Sequence, residues 1–181
     1  MDLPLPGVQN GQMGSSRRPS SPYRAGLTCL WVACAAGLLH AGVSFYWAAG
    51  GRTLLDTVGP WAVRQAEQFP VRTGVLLGFI GTAKAAAALI PVAAGYGRIP
   101  RPRLWRGISW VGAAALVAYG GLNTAVGNAV LAGLVRPQGG YDRAAVIGHA
   151  WLWDPLFLVW GAALLGWLLI SRPRTAATGI R

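Results

Sequence analysis

Among the polar side chains inside long apolar stretches of this 181-residue chain, seven are of types and depths that could do chemistry together: His40, Ser44, Lys84, Asn123, Asn128, His149 and Asp154. A lysine and an aspartate can pair, or together hold a charged ligand. A histidine beside an aspartate can pass a proton. Two histidines can hold a haem iron between them. Asp154 is the most demanding of the set. It lies in "GHAWLWDPLFLVWG", residues 148–161, among tryptophans and aliphatic side chains. In hydrocarbon a carboxylate needs a partner. The sequence holds no Walker loop, no Gly-x-Ser-x-Gly and no His-Glu-x-x-His, so conventional soluble chemistry finds no foothold. Cys29 and Cys34 fall on different faces of one helix. That spacing disfavours an internal disulfide and forms no paired-cysteine metal motif.

Composition identifies the elements that must position these residues. The chain is 54% hydrophobic and 12% charged, against roughly 25% charged in an average soluble domain. Residues 25–51 and 107–135 carry no Asp, Glu, Lys or Arg. Residues 73–97 carry only Lys84, and 144–171 only Asp154. A membrane span needs about 20 such residues. A soluble helix would show a regular polar face. The pattern predicts an all-α protein, a bundle of four transmembrane helices over about 26–49, 72–96, 107–131 and 146–170, within a membrane domain of 25–171.

Residues 1–24, rich in Pro, Gly and Ser, read as a disordered tail rather than a secretory signal. Residues 172–181 read as a short basic tail. Asp154 before Pro155 reads as an N-cap and a first-turn proline, which predicts a fourth helix kinked or broken at that point. Broken helices at mid-depth often line cavities. "TVGPWAVRQAEQFP" predicts a short interfacial helix from near Pro60 with Trp61 toward lipid. Gly74, Gly78 and Gly81 are packing signals for a close helix approach.

Charge sets orientation. Ten arginines fall in the N-terminal tail, the second connection and the C-terminal tail, against five in the first and third connections. The positive-inside rule makes both termini cytoplasmic. The formal charge of +11 is then explained by topology and anionic lipid headgroups, and no nucleic-acid partner is expected. Arginine outnumbers lysine fifteen to one and Ala and Gly are abundant, as in a high-GC bacterial genome; the membrane expected is a bacterial plasma membrane. Most tryptophans fall near the ends of the spans, as interfacial anchors do, with Trp160 deep.

Depth can be counted from the first arginine flanking each span. His40, Lys84, Asn123 and Asp154 lie 11–13 residues in from Arg52, Arg72, Arg136 and Arg143, roughly 16–20 Å at 1.5 Å per residue. Ser44, Asn128 and His149 form a shallower tier. The two tiers predict a polar pocket that opens outward, and Asp154 as the partner of Lys84. That pair has two open readings: a site for a ligand or proton, or an ion pair that only fixes helix register. His40 and His149 differ by about six residues in depth, some 9 Å. Axial ligands of one haem should be level, so no cofactor is predicted and haem is the lesser alternative.

"LLHAGVSFYWAAGG" and "GHAWLWDPLFLVWG" carry a resemblance. The first places His40 seven residues before Trp47, followed by Gly50 and Gly51. The second has the form Gly-His-x-x-Leu-Trp-Asp-Pro, with His149, Trp153, Asp154 and Pro155. Together they resemble an uncharacterised bacterial family of four-helix integral membrane proteins, domain of unknown function 3995. The resemblance implies the same topology and brings no activity. Two function classes follow. One is a membrane protein that binds, senses or transports a small ligand or proton through the pocket. The other is a structural or accessory subunit whose polar layer fixes helix packing. A membrane redox protein is third. Beyond the bilayer, the expected partners are a second copy of the chain or another membrane subunit.

Overall fold

The computed structural model describes residues 21–171. Of these 82% are helical, and no strand occurs among them. The helices are α1 (Ser21–Ala48), α2 (Pro60–Gln68), α3 (Pro70–Gly95), α4 (Pro102–Leu131), α5 (Arg143–Gly148) and α6 (Asp154–Ile170). One π-helical turn, His149–Trp153, joins α5 to α6 without a break. Four helical stretches are long and apolar enough to cross a membrane: Pro22–Ala48, Pro70–Gly95, Pro102–Leu131 and Arg143–Ile170. Four helices were expected and four are found.

Their starts lie earlier than the hydropathy pattern suggested. Pro60, Pro70 and Pro102 each sit in the first turn of a helix, where the missing N–H costs nothing and the fixed φ is already helical. Arg103 and Arg106 therefore belong to α4, not to a loop. Residues 21–24, expected in the tail, are the first turn of α1. The rest of that tail, 1–20, and the basic tail 172–181 lie outside the described residues. The short helix expected from Pro60 is α2, and its Trp61 is exposed.

The spans run antiparallel in the spatial order α3–α1–α6–α4. α1 packs along both α3 and α6, and α6 along both α1 and α4, while α3 and α4 meet only thinly. Burial follows this order. Of the apolar stretch of α1, 44% is buried, and of the last span 39%, against 17% for α3 and 11% for α4. Lipid is as apolar as leucine, so such helices are held by close van der Waals packing rather than by escape from water. The glycines show where. A Cβ at Gly120 would lie 2.5 Å from Leu158 N and 2.6 Å from Asp154 O, and one at Gly161 would lie 2.8 Å from Val117 N. The α4 and α6 backbones therefore touch. Gly37 makes room for the Trp160 ring between α1 and α6. Of the glycines expected to pack, Gly74 and Gly81 face α1 at Ala48 and Phe45, while Gly78 faces open space. The core centres on Leu30, Ala33, Ala88, Trp160, Leu164 and Leu168.

The fourth span is not broken at Asp154. Asp154 has helical dihedrals, φ −77° and ψ −37°, so it is not an N-cap, and its N–H donates to His149 O five residues back. Pro155 explains the wider turn. It has no N–H for the carbonyl of Trp151, and its ring would press on that carbonyl in an ordinary α-turn. One π-turn absorbs the conflict and keeps the chain helical.

Candidate functional site

The π-turn rotates His149 onto Asp154. His149 Nδ1 lies 3.1 Å from Asp154 Oδ2, and its Nε2 lies 3.4 Å from Val58 O. A carbonyl and a carboxylate can only accept, so the ring donates to whichever of the two its tautomer serves, or to both when it carries two protons. Asp154 is 1% exposed, and its Oδ1 has no hydrogen-bond partner among the described residues. Thr124 Oγ1, on α4, is buried and unpartnered in the same way.

This arrangement corrects the expected Lys84–Asp154 pair. Lys84 Nζ instead donates to Ser44 Oγ at 3.1 Å, and Ser44 donates its own hydrogen to His40 O at 3.1 Å. The ammonium also lies 5.6 Å from the centre of the Phe157 ring, within cation–π range. No carboxylate forms an ion pair with it among the described residues. His40 is buried at 3% exposure and stacks on Phe157 with centroids 3.9 Å apart. Its Nε2 donates to Trp153 O at 3.2 Å, which ties α1 to the π-turn.

One cavity of about 120 Å³ brings His40, Lys84 and His149 together. Trp47, Trp153 and Phe157 form much of its wall, and Val43 and Val58 complete it. Val58 belongs to the connection after α1, so the cavity lies toward the end of the bundle opposite Ser21 and Ser171. Trp153 holds that connection in place, donating from Nε1 to Thr57 Oγ1 at 3.0 Å. Gly148 admits the Thr57 backbone against the helix. Ser44 and Asp154 lie one hydrogen bond behind the cavity wall.

Two expected members are elsewhere. Asn123 is half-buried on α4 and does not line the cavity. Asn128 accepts from Trp151 Nε1 at 3.0 Å and donates to Thr124 O at 2.8 Å, on the exposed side of α4. The four residues of equal depth therefore do not converge. Thr57, Val58 and Phe157 were not singled out from sequence. Phe157 was visible only as one aromatic in an apolar run, and nothing marked the loop residues.

Both nitrogens of His149 already face protein oxygens, and 120 Å³ is below the roughly 300–1,000 Å³ of sites for drug-sized ligands. A larger cleft of about 480 Å³ lies at the opposite end, beside Tyr23, Tyr96 and Trp167. It contains none of the seven polar residues. Among the described residues its one cation is Arg106, which donates to Ser171 Oγ and Leu168 O and so serves the C-terminal end of α6.

The family model described as "Protein of unknown function (DUF3995)" matches residues 36–164, well over half of the chain. The match spans both signature stretches and every residue lining the cavity. The comparisons with curated proteins and with solved structures find no match.

Proposed function

The chain belongs to the DUF3995 family, and from that premise we propose a multi-pass integral membrane protein that binds a small ligand in the cavity between α1, α3 and the last span. The observation that carries this reading is the convergence of His40, Lys84 and His149, from three different spans, on one cavity. Ionisable residues within spans are costly, and they recur where a ligand or proton is handled. The arginine distribution supports termini on the cytoplasmic side and a cavity opening outward across a plasma membrane. The arginine-rich, Ala- and Gly-rich composition supports a bacterial source.

A structural role for the polar layer is the second reading, and one observation favours it. The bond from His40 to Trp153 O joins the first and last spans directly. The two readings differ in access. Val43→Cys, in a chain with Cys29 and Cys34 replaced by alanine, tests this. A small membrane-impermeant methanethiosulfonate added outside should modify it in whole cells. If it is unreactive from both faces of the membrane, the cavity is closed and the structural reading stands.

A further inference from the structure

The class of ligand follows from one uncompensated charge. Four acidic side chains occur among the described residues. Asp154 is bound to His149, Glu67 lies 3.8 Å from Arg52, and Asp142 accepts from Ala145 N. Asp56 lies in the connection after α1 and forms no ion pair with Lys84. Lys84 thus has a hydroxyl and a ring for company and no counter-charge. An ammonium has three donors, and Ser44 takes one. Asp154 is engaged by His149, and His40 brings no negative charge. The Lys84 ammonium therefore faces the cavity with no carboxylate paired to it among the described residues, and an unpaired charge inside an apolar bundle is expensive.

We propose that the cavity is a binding site for a small monovalent anion, held by the Lys84 ammonium. This inference rests on the ligand-pocket reading above. Charge sets the valence: one negative charge neutralises the ammonium, and a divalent sulfate would overshoot it. Size sets the rest. A volume of about 120 Å³ admits a few heavy atoms, enough for a halide, nitrate, formate or acetate. The aromatic walls suit a weakly hydrated anion, which loses little on leaving water. An inorganic anion and a short carboxylate share this chemistry, and the two arms of the test separate them.

The full chain in neutral detergent is titrated with sodium chloride or nitrate in one arm and with formate or acetate in the other. Ionic strength is held constant with gluconate, which is too large for the cavity. Calorimetric binding and the thermal unfolding midpoint are the readouts. Saturable binding and a raised midpoint are expected with at least one small monovalent anion, and no saturation with sulfate. Lys84→Gln should weaken that affinity by tenfold or more. Val43→Phe, which fills the cavity and keeps the charge, should abolish it and serves should Lys84→Gln fail to fold. The inference is overturned if no small monovalent anion binds saturably, or if Lys84→Gln binds as tightly as the native chain. Saturable binding of a small neutral solute such as urea, blocked by Val43→Phe and indifferent to Lys84→Gln, would remove the anion and leave the pocket. If neither class binds and Val43→Cys is unreactive, both fail.

Discussion

The His149–Asp154 pair can be tested through the energies of its parts. His149→Leu leaves both oxygens of a carboxyl that is 1% exposed without a partner. Stripping a buried ion pair of one member costs about 3–5 kcal/mol when the other stays charged. A carboxyl that takes up the proton instead loses about 1–3 kcal/mol as an unsatisfied polar group. The His149 side chain is 39% exposed, so water softens the loss, and about 1–3 kcal/mol is expected. Asp154→Asn keeps the shape, and its amide can donate to or accept from His149 Nδ1 as the tautomer requires, so it should cost no more than about 1.5 kcal/mol. With both changes the unpaired carboxyl is gone, so the double variant should be about 1–2 kcal/mol more stable than the sum of the singles. Lys84→Met combined with Asp154→Asn should add within about 0.5 kcal/mol, because those side chains share no bond. Unfolding in mixed micelles by titration with dodecyl sulfate measures all five variants. If His149 and Asp154 prove additive while Lys84 and Asp154 prove coupled, the pairing described for the last span is wrong.

Other expectations use the same assay or simple reporters. Gly120→Ala should destabilise by about 1–3 kcal/mol through overpacking against the α6 backbone, because its Cβ would meet Leu158 N at 2.5 Å. Gly112→Ala, with nothing within 4 Å, should be neutral or gain up to about 1 kcal/mol of helix propensity. Trp153→Phe removes the bond to Thr57 and should cost about 1 kcal/mol, with faster hydrogen exchange across residues 54–59. Reporter fusions after Arg181 and within 139–142 should report opposite sides of the membrane. A shared side would overturn the proposed topology.

Number, length and type of the spans were legible because burial in lipid is a one-dimensional property of sequence: charge is excluded over some 20 residues at a time. Depth was legible for the same reason, and it brought His40, Lys84 and His149 to notice. Direction around the helix was not. Asn123 was grouped with the others by its count along the chain, but no residue of α4 lines the cavity. In an α-helix, residues five apart point about 140° from each other, so His149 was not an evident partner for Asp154. Only the π-turn, whose bonds span five residues, stacks one over the other. Pro155 marked that something must give, yet proline signals a kink, a break or a wider turn alike. Lys84 was misassigned because attraction between opposite charges was weighed without the neutral hydroxyl of Ser44, four residues along from His40 and already in reach. Phe157 and Val58 had no chemical signature, since a ring and a backbone carbonyl acquire a role only through what packs beside them.

The spatial order α3–α1–α6–α4 has a consequence for biogenesis. The first and last spans are central neighbours, and the bond from His40 to Trp153 O closes a separation of 113 residues. The outer helices make their main contacts within two hairpins, α1 with α3 and α4 with α6. Each hairpin can form as soon as its second helix leaves the ribosome. The central seam, and the cavity with it, must wait for the end of translation. The connection over 96–101 joins two spans that meet only thinly, so a chain cut there should reassemble from two separately inserted hairpins. The cavity is then a product of assembly, with its lysine and serine contributed by the first hairpin and its histidine–aspartate pair by the second.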